Sequence, residues 1–181
     1  MSDEAGLLAV VAVGGLLSGS FISVVVNRLQ AGTGFVSGRS ACPHCHRTLI
    51  WWELIPLLSY LGLRGRCRTC HKPISSQDPL LEVVTAVVFV GLFLELPHST
   101  GGELLQLVLW LYISGSLLVL ATYDLRWQLL PDKVLLPLIV PAALLIGTQA
   151  WVHQSLQVAL GPILAAVGFG GAFYALAAVS G

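Results

Sequence analysis

Four cysteines and one aspartate carry most of the chemistry open to this sequence. The cysteines form two Cys-x-x-Cys pairs, Cys42-Pro-His-Cys45 and Cys67-Arg-Thr-Cys70, with no further cysteine left over. Each pair sets two thiolates on one tight turn. Two such turns facing each other make the tetrahedral sulfur site that zinc prefers. The intervening residues, 46–66, fall close to double-knuckle spacing. Four thiolates leave no open coordination position, so a zinc ion held this way is structural. Two disulfides are the alternative, and the choice depends on which side of a membrane the loop faces. His44, His46 and His71 flank the knuckles. Any of them could replace a thiolate, although the four cysteines already complete a set.

The aspartate is Asp124, in the run Ala121-Thr-Tyr-Asp-Leu-Arg-Trp-Gln-Leu-Leu-Pro-Asp132 at the end of a long apolar stretch. A carboxylate at the edge of a hydrocarbon layer is costly to desolvate and is by default a functional candidate. Partial burial suits it to general acid/base work. The plainer reading is an interfacial acid paired with Arg126 or left in water. Asp132 follows a proline and reads as a helix cap. Glu82 sits near one end of an apolar run, facing the bundle or water, while Glu95 and Glu103 flank a short loop and read as solvated. Arg64, Arg66 and Arg68 alternate before the second knuckle, suited either to anionic headgroups or to a negatively charged ligand.

These groups must be positioned by apolar helices. Of 181 residues, 56% are hydrophobic and only 10% charged, with mean hydropathy +0.85. Soluble domains carry about 25% charged residues, so the chain reads as membrane-embedded. Five apolar runs are long enough to cross a bilayer: 5–26, 79–96, 104–123, 134–152 and 156–179. An acidic leader, Asp3-Glu4, argues against a signal peptide at the first. All Lys and Arg residues lie between Arg28 and Lys133, in the loop after the first run or the loop after the third. The positive-inside bias then puts the N-terminus outside and both basic loops in the cytoplasm. A reducing cytoplasm favours a metal over disulfides.

The expected fold is therefore an all-α integral membrane protein, a polytopic bundle of about five transmembrane helices with a cytoplasmic zinc-knuckle loop. Its parts are a first transmembrane helix (1–29), a zinc-binding loop domain (30–78) and a second membrane domain (79–181). No repeat is expected. Gly32, Gly34 and Gly38 make a flexible exit from the first helix. Trp51, Trp52 and Tyr60 read as interfacial aromatics. The segment 54–58 is too short to span and is expected at the interface or against the zinc module. Gly14, Gly15, Ser18 and Gly19, and likewise Gly168, Gly170, Gly171 and Ala172, are small residues for close helix packing in lipid.

Taken together, the motifs resemble the bacterial prepilin peptidases, or type IV leader peptidases. The resemblance runs through Gly19-Ser-Phe-Ile-Ser-Val-Val25, Cys42-Pro-His-Cys45, Ile55-Pro-Leu-Leu-Ser-Tyr60, Leu63-Arg-Gly-Arg-Cys67-Arg-Thr-Cys70, Pro79-Leu-Leu-Glu82 and Asp124-Leu-x5-Pro131-Asp132. Ser23 stands where the family has Asn, and Gln77-Asp78-Pro79 where it has Arg-Tyr-Pro. The resemblance implies an aspartic membrane endopeptidase of the bacterial inner membrane. It would remove leader peptides from type IV prepilins and pseudopilins and N-methylate the new N-terminus with S-adenosylmethionine. Asp124 would be its first catalytic aspartate. The family's second aspartate lies in a Gly-x-Gly-Asp motif after the fifth span, and no such motif occurs in these residues. The chain thus reads as a truncated form, and alone is expected not to cleave prepilin.

No glycine-rich strand-to-helix nucleotide fingerprint is present, so S-adenosylmethionine is expected at the cytoplasmic loop and its junction with the helices. Beyond prepilins and pseudopilins the expected partner is membrane lipid, with no nucleic acid, and homodimerisation is left open. Two readings compete. One is a non-catalytic zinc-knuckle membrane protein that binds prepilins or assembly components. The other is a small transporter or channel subunit with Asp124 as a proton site, which would need polar residues deeper in the spans.

Overall fold

The computed structural model describes residues 2–33, 38–152, 160–165 and 168. Helix α1 is Ser2–Gln30, α2 Leu58–Gly62, α3 Gln77–Glu95, α4 Gly101–Trp127, α5 Asp132–Leu135 and α6 Ile139–Val152. One 3₁₀ turn, Trp51–Leu54, precedes α2, and another, Leu136–Leu138, joins α5 to α6. Among the described residues the only β pairing is two isolated bridges in the cysteine loop. Four segments are long and apolar enough to cross a membrane: Glu4–Gln30, Gln77–Glu95, Gly101–Trp127 and Asp132–Trp151. The expected fifth span, 156–179, falls largely outside the described residues, where only 160–165 and 168 are seen, as helix. Gly34, Gly170, Gly171 and Ala172 lie outside them too.

The spans outrun their apolar stretches by about a turn because polar residues complete the ends. Arg28 lies in the last turn of α1, where the helix dipole favours a cation, and Gly32, at φ +66°, ends the run. Helix α4 starts at a capping box in which Thr100 Oγ1 accepts from the Glu103 N–H at 3.3 Å and Glu103 Oε2 accepts from the Thr100 N–H at 2.9 Å. Glu103 is thus a cap and not merely a solvated acid. The same helix ends at Gln128, in the left-handed region, whose N–H reaches the Asp124 carbonyl at 2.7 Å. Asp124 therefore sits inside α4. The fourth span breaks at Pro137, where the missing N–H is accommodated by the 3₁₀ turn between α5 and α6.

Helices α1 and α3 pack antiparallel at van der Waals contact. A Cβ added at Gly15 would stand 2.5 Å from Ala86 Cα, and one at Gly19 would stand 2.6 Å from Glu82 Cα. Gly15-x-x-x-Gly19 is a small-residue seam that lets two backbones meet where lipid offers no hydrophobic drive. Gly14, grouped with them from sequence, has open space around its Cα. Gly19→Val therefore overpacks the seam at a cost of about 1–3 kcal/mol, whereas Gly14→Val leaves it intact. Thermal unfolding of the detergent-solubilised protein checks the contrast, and equal midpoints for the two variants would contradict this packing.

Helix α4 lies across the pair. Ile22 and Val26 of α1, Leu81 of α3, and Val119 and Tyr123 of α4 form one buried cluster. Leu109 and Ile113 of α4 with Leu145 of α6 form a second. Leu7, Val10, Val13, Leu17 and Phe21 stay exposed on the outer side of α1. Such a stripe is a liability in water and the natural surface in lipid. The molecule is a membrane protein carrying an extramembrane cysteine module between α1 and α3.

The module contains an internal duplication, where none was expected. In the first knuckle the Cys42 N–H bonds the Arg47 carbonyl, the His46 N–H bonds the Cys42 carbonyl and the Leu49 N–H bonds the Ser40 carbonyl. In the second the matching bonds are Cys67 to Lys72, His71 to Cys67 and Ile74 to Gly65, all 2.8–3.0 Å. The bridges repeat as well, Ala41 with Thr48 and Arg66 with Pro73. His46 and His71 hold the same left-handed conformation, φ 56° and 55°, a region in which histidine is enriched.

Candidate functional site

The duplicated knuckles bring the four thiols together. Cys42 Sγ lies 3.9 Å from Cys70 Sγ, Cys45 Sγ lies 4.0 Å from Cys67 Sγ, and all four sulfurs fall within 4.8 Å of one another. A tetrahedron with metal–sulfur bonds of about 2.3 Å has edges of about 3.8 Å, so the cage fits zinc. A disulfide needs about 2.05 Å, and all four cysteines are free. No histidine joins the group among the described residues. His46 and His71 contribute turn backbone to the site and no ring.

Electrostatics prepare the first cysteine of each knuckle. The N–H groups of Cys45 and His44 lower the Cys42 thiol. Those of Cys70 and Thr69 bring Cys67 down to about 6. At Cys70 the Lys72 N–H pulls downward, but burial and the neighbouring sulfurs leave the thiol at about 11. Four thiolates together need a cation, and a divalent metal would supply it.

A half-buried ion pair braces the cage. Arg47 Nη2 donates to Glu53 Oε1 at 2.6 Å, and Glu53 Oε2 accepts the Ile50 N–H at 3.0 Å. The Glu53 side chain is 1% exposed, and the Arg47 hydrogen bond holds its carboxyl below the usual range against the opposing effect of burial. Arg68 lies over the Trp52 ring at 5.2 Å, and Trp51 projects into the surroundings, 77% exposed.

Glu82 joins the module to the bundle. It is buried in α3, and its Oε2 accepts the Leu57 N–H at 2.7 Å. Leu57 takes φ 57° to present that N–H. Segment 54–58 is thus a bent strap fastened to α3. Glu82→Ala leaves a buried donor unpaired, a loss of about 1–3 kcal/mol, and Glu82→Gln, which keeps an oxygen, loses less. Limited proteolysis of the loop reads both variants, and wild-type resistance of the Ala variant would contradict the link.

Asp124 lies exposed on α4, one turn from the helix end. It does not pair with Arg126. That guanidinium instead donates to Asn27 Oδ1 at 2.8 Å and stands 3.9 Å from Asp78 Oδ1. Arg126 so ties the end of α4 to the end of α1 and the start of α3, and Asp124 is held at the same end of the bundle as the thiol cage. Asp132 does not cap α5. Pro131 occupies the cap position and no side-chain cap bond forms, so Asp132 falls within the first turn and acts through its charge alone.

The bacterial peptidase A24 N-terminal domain model matches residues 13–96, which hold both knuckles and the α1–α3 seam. A Bacillus subtilis prepilin leader peptidase/N-methyltransferase is 32% identical over 172 residues, covering 91% of this chain and 67% of that protein. A Myxococcus xanthus protein of the same name is 40% identical over 123 residues, covering 68% of this chain and 35% of that one. A leader peptide-processing enzyme for type 4 prepilin-like proteins from Escherichia coli O78:H11 is 37% identical, covering 93% and 66%. The chain thus spans between a third and two thirds of the length of these relatives. No solved structure matches it.

Proposed function

Since the chain belongs to the bacterial prepilin leader peptidase/N-methyltransferase family, we propose that it forms part of an aspartic endopeptidase of the inner membrane that removes leader peptides from type IV prepilins and pseudopilins and methylates the new N-terminus. The observation that carries this reading is the placement of Asp124 at the end of the bundle that bears the four-thiol module. The basic loops put that end in the cytoplasm and the N-terminus outside.

Asp124 is one carboxylate of a pair, and its partner is the aspartate of the family's Gly-x-Gly-Asp segment. One carboxylate takes a proton from water as the water oxygen attacks the scissile carbonyl, and the other gives a proton to the departing amine. The C–N bond breaks, leaving a carboxylate on the leader and a free amine on the pilin. When bound, S-adenosylmethionine would supply the methyl group for that amine. Cys42, Cys45, Cys67 and Cys70 hold zinc, which fixes the loop and takes no part in the bond changes.

The full reading frame containing this chain, co-expressed with a prepilin, tests the proposal by intact mass. Loss of the leader with gain of one methyl group is the expected result. An unchanged prepilin would overturn it.

A further inference from the structure

The strap between the two knuckles is fastened below the end of the bundle. Helix α3 has 19 residues, about 28 Å at 1.5 Å per residue. Nearly its whole length is therefore needed to cross a hydrocarbon core of about 30 Å. Glu82 is its sixth residue, about 7.5 Å along the axis from Gln77. Because Glu82 Oε2 holds the Leu57 N–H at 2.7 Å, the strap is pinned at that depth.

There the strap is turned inside out for water. On its inner side Ser59 and Tyr60 line a cavity of about 690 Å³ under the module, together with the buried Ser23 and Glu82. Leu58 and Leu61 lie outside that lining, 67% and 63% exposed. They are three residues apart on α2 and so share a face. Ile55 is exposed beside them. Polar groups inward and leucines outward is the order that lipid requires. The backbone agrees. The N–H groups of Leu57, Ser59 and Leu61 bond Glu82 and the carbonyls of Ile55 and Leu57, and Pro56 has no N–H to satisfy. Donors in an apolar layer must be paired in this way.

The chain leaving α2 supplies the charge. A shallow hollow there is lined by Arg64, Arg66, Arg68 and His71 and by no carboxylate. The three arginines are exposed. Among the described residues none of them joins an ion pair, since the two pairs found belong to Arg47 and Arg126. Arg64 follows Leu61 by three residues, and an arginine stem can lie along apolar surface with its head in the polar layer. Exposed leucines beside uncompensated arginines match an anionic phospholipid, whose acyl chains meet the leucines and whose phosphate takes the guanidinium fork.

We propose that the strap is an interfacial anchor for the thiol module. Ile55, Leu58 and Leu61 enter the acyl boundary, Trp51 lies at headgroup level, and Arg64 and Arg66 bind the phosphates of anionic phospholipids. Apolar faces that lie in a membrane interface seat about 5–10 Å into it, the depth at which Glu82 holds Leu57.

The test places one fluorescent side chain, Leu58→dansylalanine, in the full-length protein in nanodiscs of mixed phosphatidylcholine and phosphatidylglycerol. Zinc content equal to wild type confirms that the module is folded. A nitroxide near the top of a lipid acyl chain quenches the label, and aqueous iodide does not. Nitroxide on phosphatidylglycerol quenches more strongly than nitroxide on phosphatidylcholine, by about twofold or more, and the Arg64→Glu, Arg66→Glu double variant makes the two equal. A label open to iodide and silent to the lipid nitroxide would overturn the anchor. So would a label that neither quencher reaches, because protein would then cover the leucines. Equal quenching by the two labelled lipids before the arginines are changed would overturn the anionic partner.

Discussion

Cys67→Ala removes zinc from the protein and unfolds the loop domain while the bundle persists. The loop has little else to hold it. Among its described residues only Cys42, Glu53, Pro56 and Cys67 are buried, its regular structure is two isolated bridges and two short helical turns, and its firm links are the Arg47–Glu53 pair and the Leu57–Glu82 bond. In structural zinc peptides the metal contributes an apparent ~10–16 kcal/mol, more than these contacts can replace. Metal analysis should show stoichiometric zinc falling to background in each of the four Cys→Ala variants, with rapid proteolysis inside the loop. His71→Ala keeps its zinc, because the ring lies outside the cage. Full zinc retention by Cys67→Ala would contradict the assignment of the four thiols as the complete ligand set.

What could be read from the sequence was what depends on local spacing. The thiol cage was legible because each knuckle places its own two sulfurs and the backbone repeats the turn. The spans were legible from hydropathy, though their ends were underestimated: Arg28, Asp124 and Arg126 complete helix turns that an apolar count stops short of, since polar side chains at a span end reach for the interface. The Gly15–Gly19 seam shows in its four-residue interval. Gly14 was misgrouped because one residue, about 100° of helix, turns it off that face.

What escaped was what depends on long-range placement. Nothing in Glu82 announces that its partner is the Leu57 N–H, and nothing in Arg47 and Glu53 shows that they close on each other across Trp51 and Trp52. Asp132 follows a sensible capping rule, but Pro131 takes the cap position itself. Ser23 drew notice only as a departure from the family's Asn. Its buried hydroxyl and the cavity beside it emerge only when the module is folded over the bundle. The duplication of the knuckles shows in sequence only as the repeated Cys-x-x-Cys-His, and its extent appears in the matched backbone hydrogen bonds and bridges.

The second large effect is at Asp124. Asparagine matches aspartate in shape, and the Gln128 N–H bonds the residue's backbone carbonyl, not its side chain, so Asp124→Asn keeps the end of α4. Arg126 keeps its ties to Asn27 and Asp78, and the thiol cage is untouched. What is lost is a carboxylate able to exchange a proton, and general acid/base catalysis by one positioned group is worth about 10²–10⁴ in rate. The decisive measurement is kcat and KM for prepilin cleavage by the purified full-length protein and its Asp124→Asn variant, with zinc content confirmed equal. The account predicts a fall in kcat of about 100-fold or more with KM little changed. A variant that cleaves at the wild-type rate would remove Asp124 from the reaction and contradict the proposed mechanism.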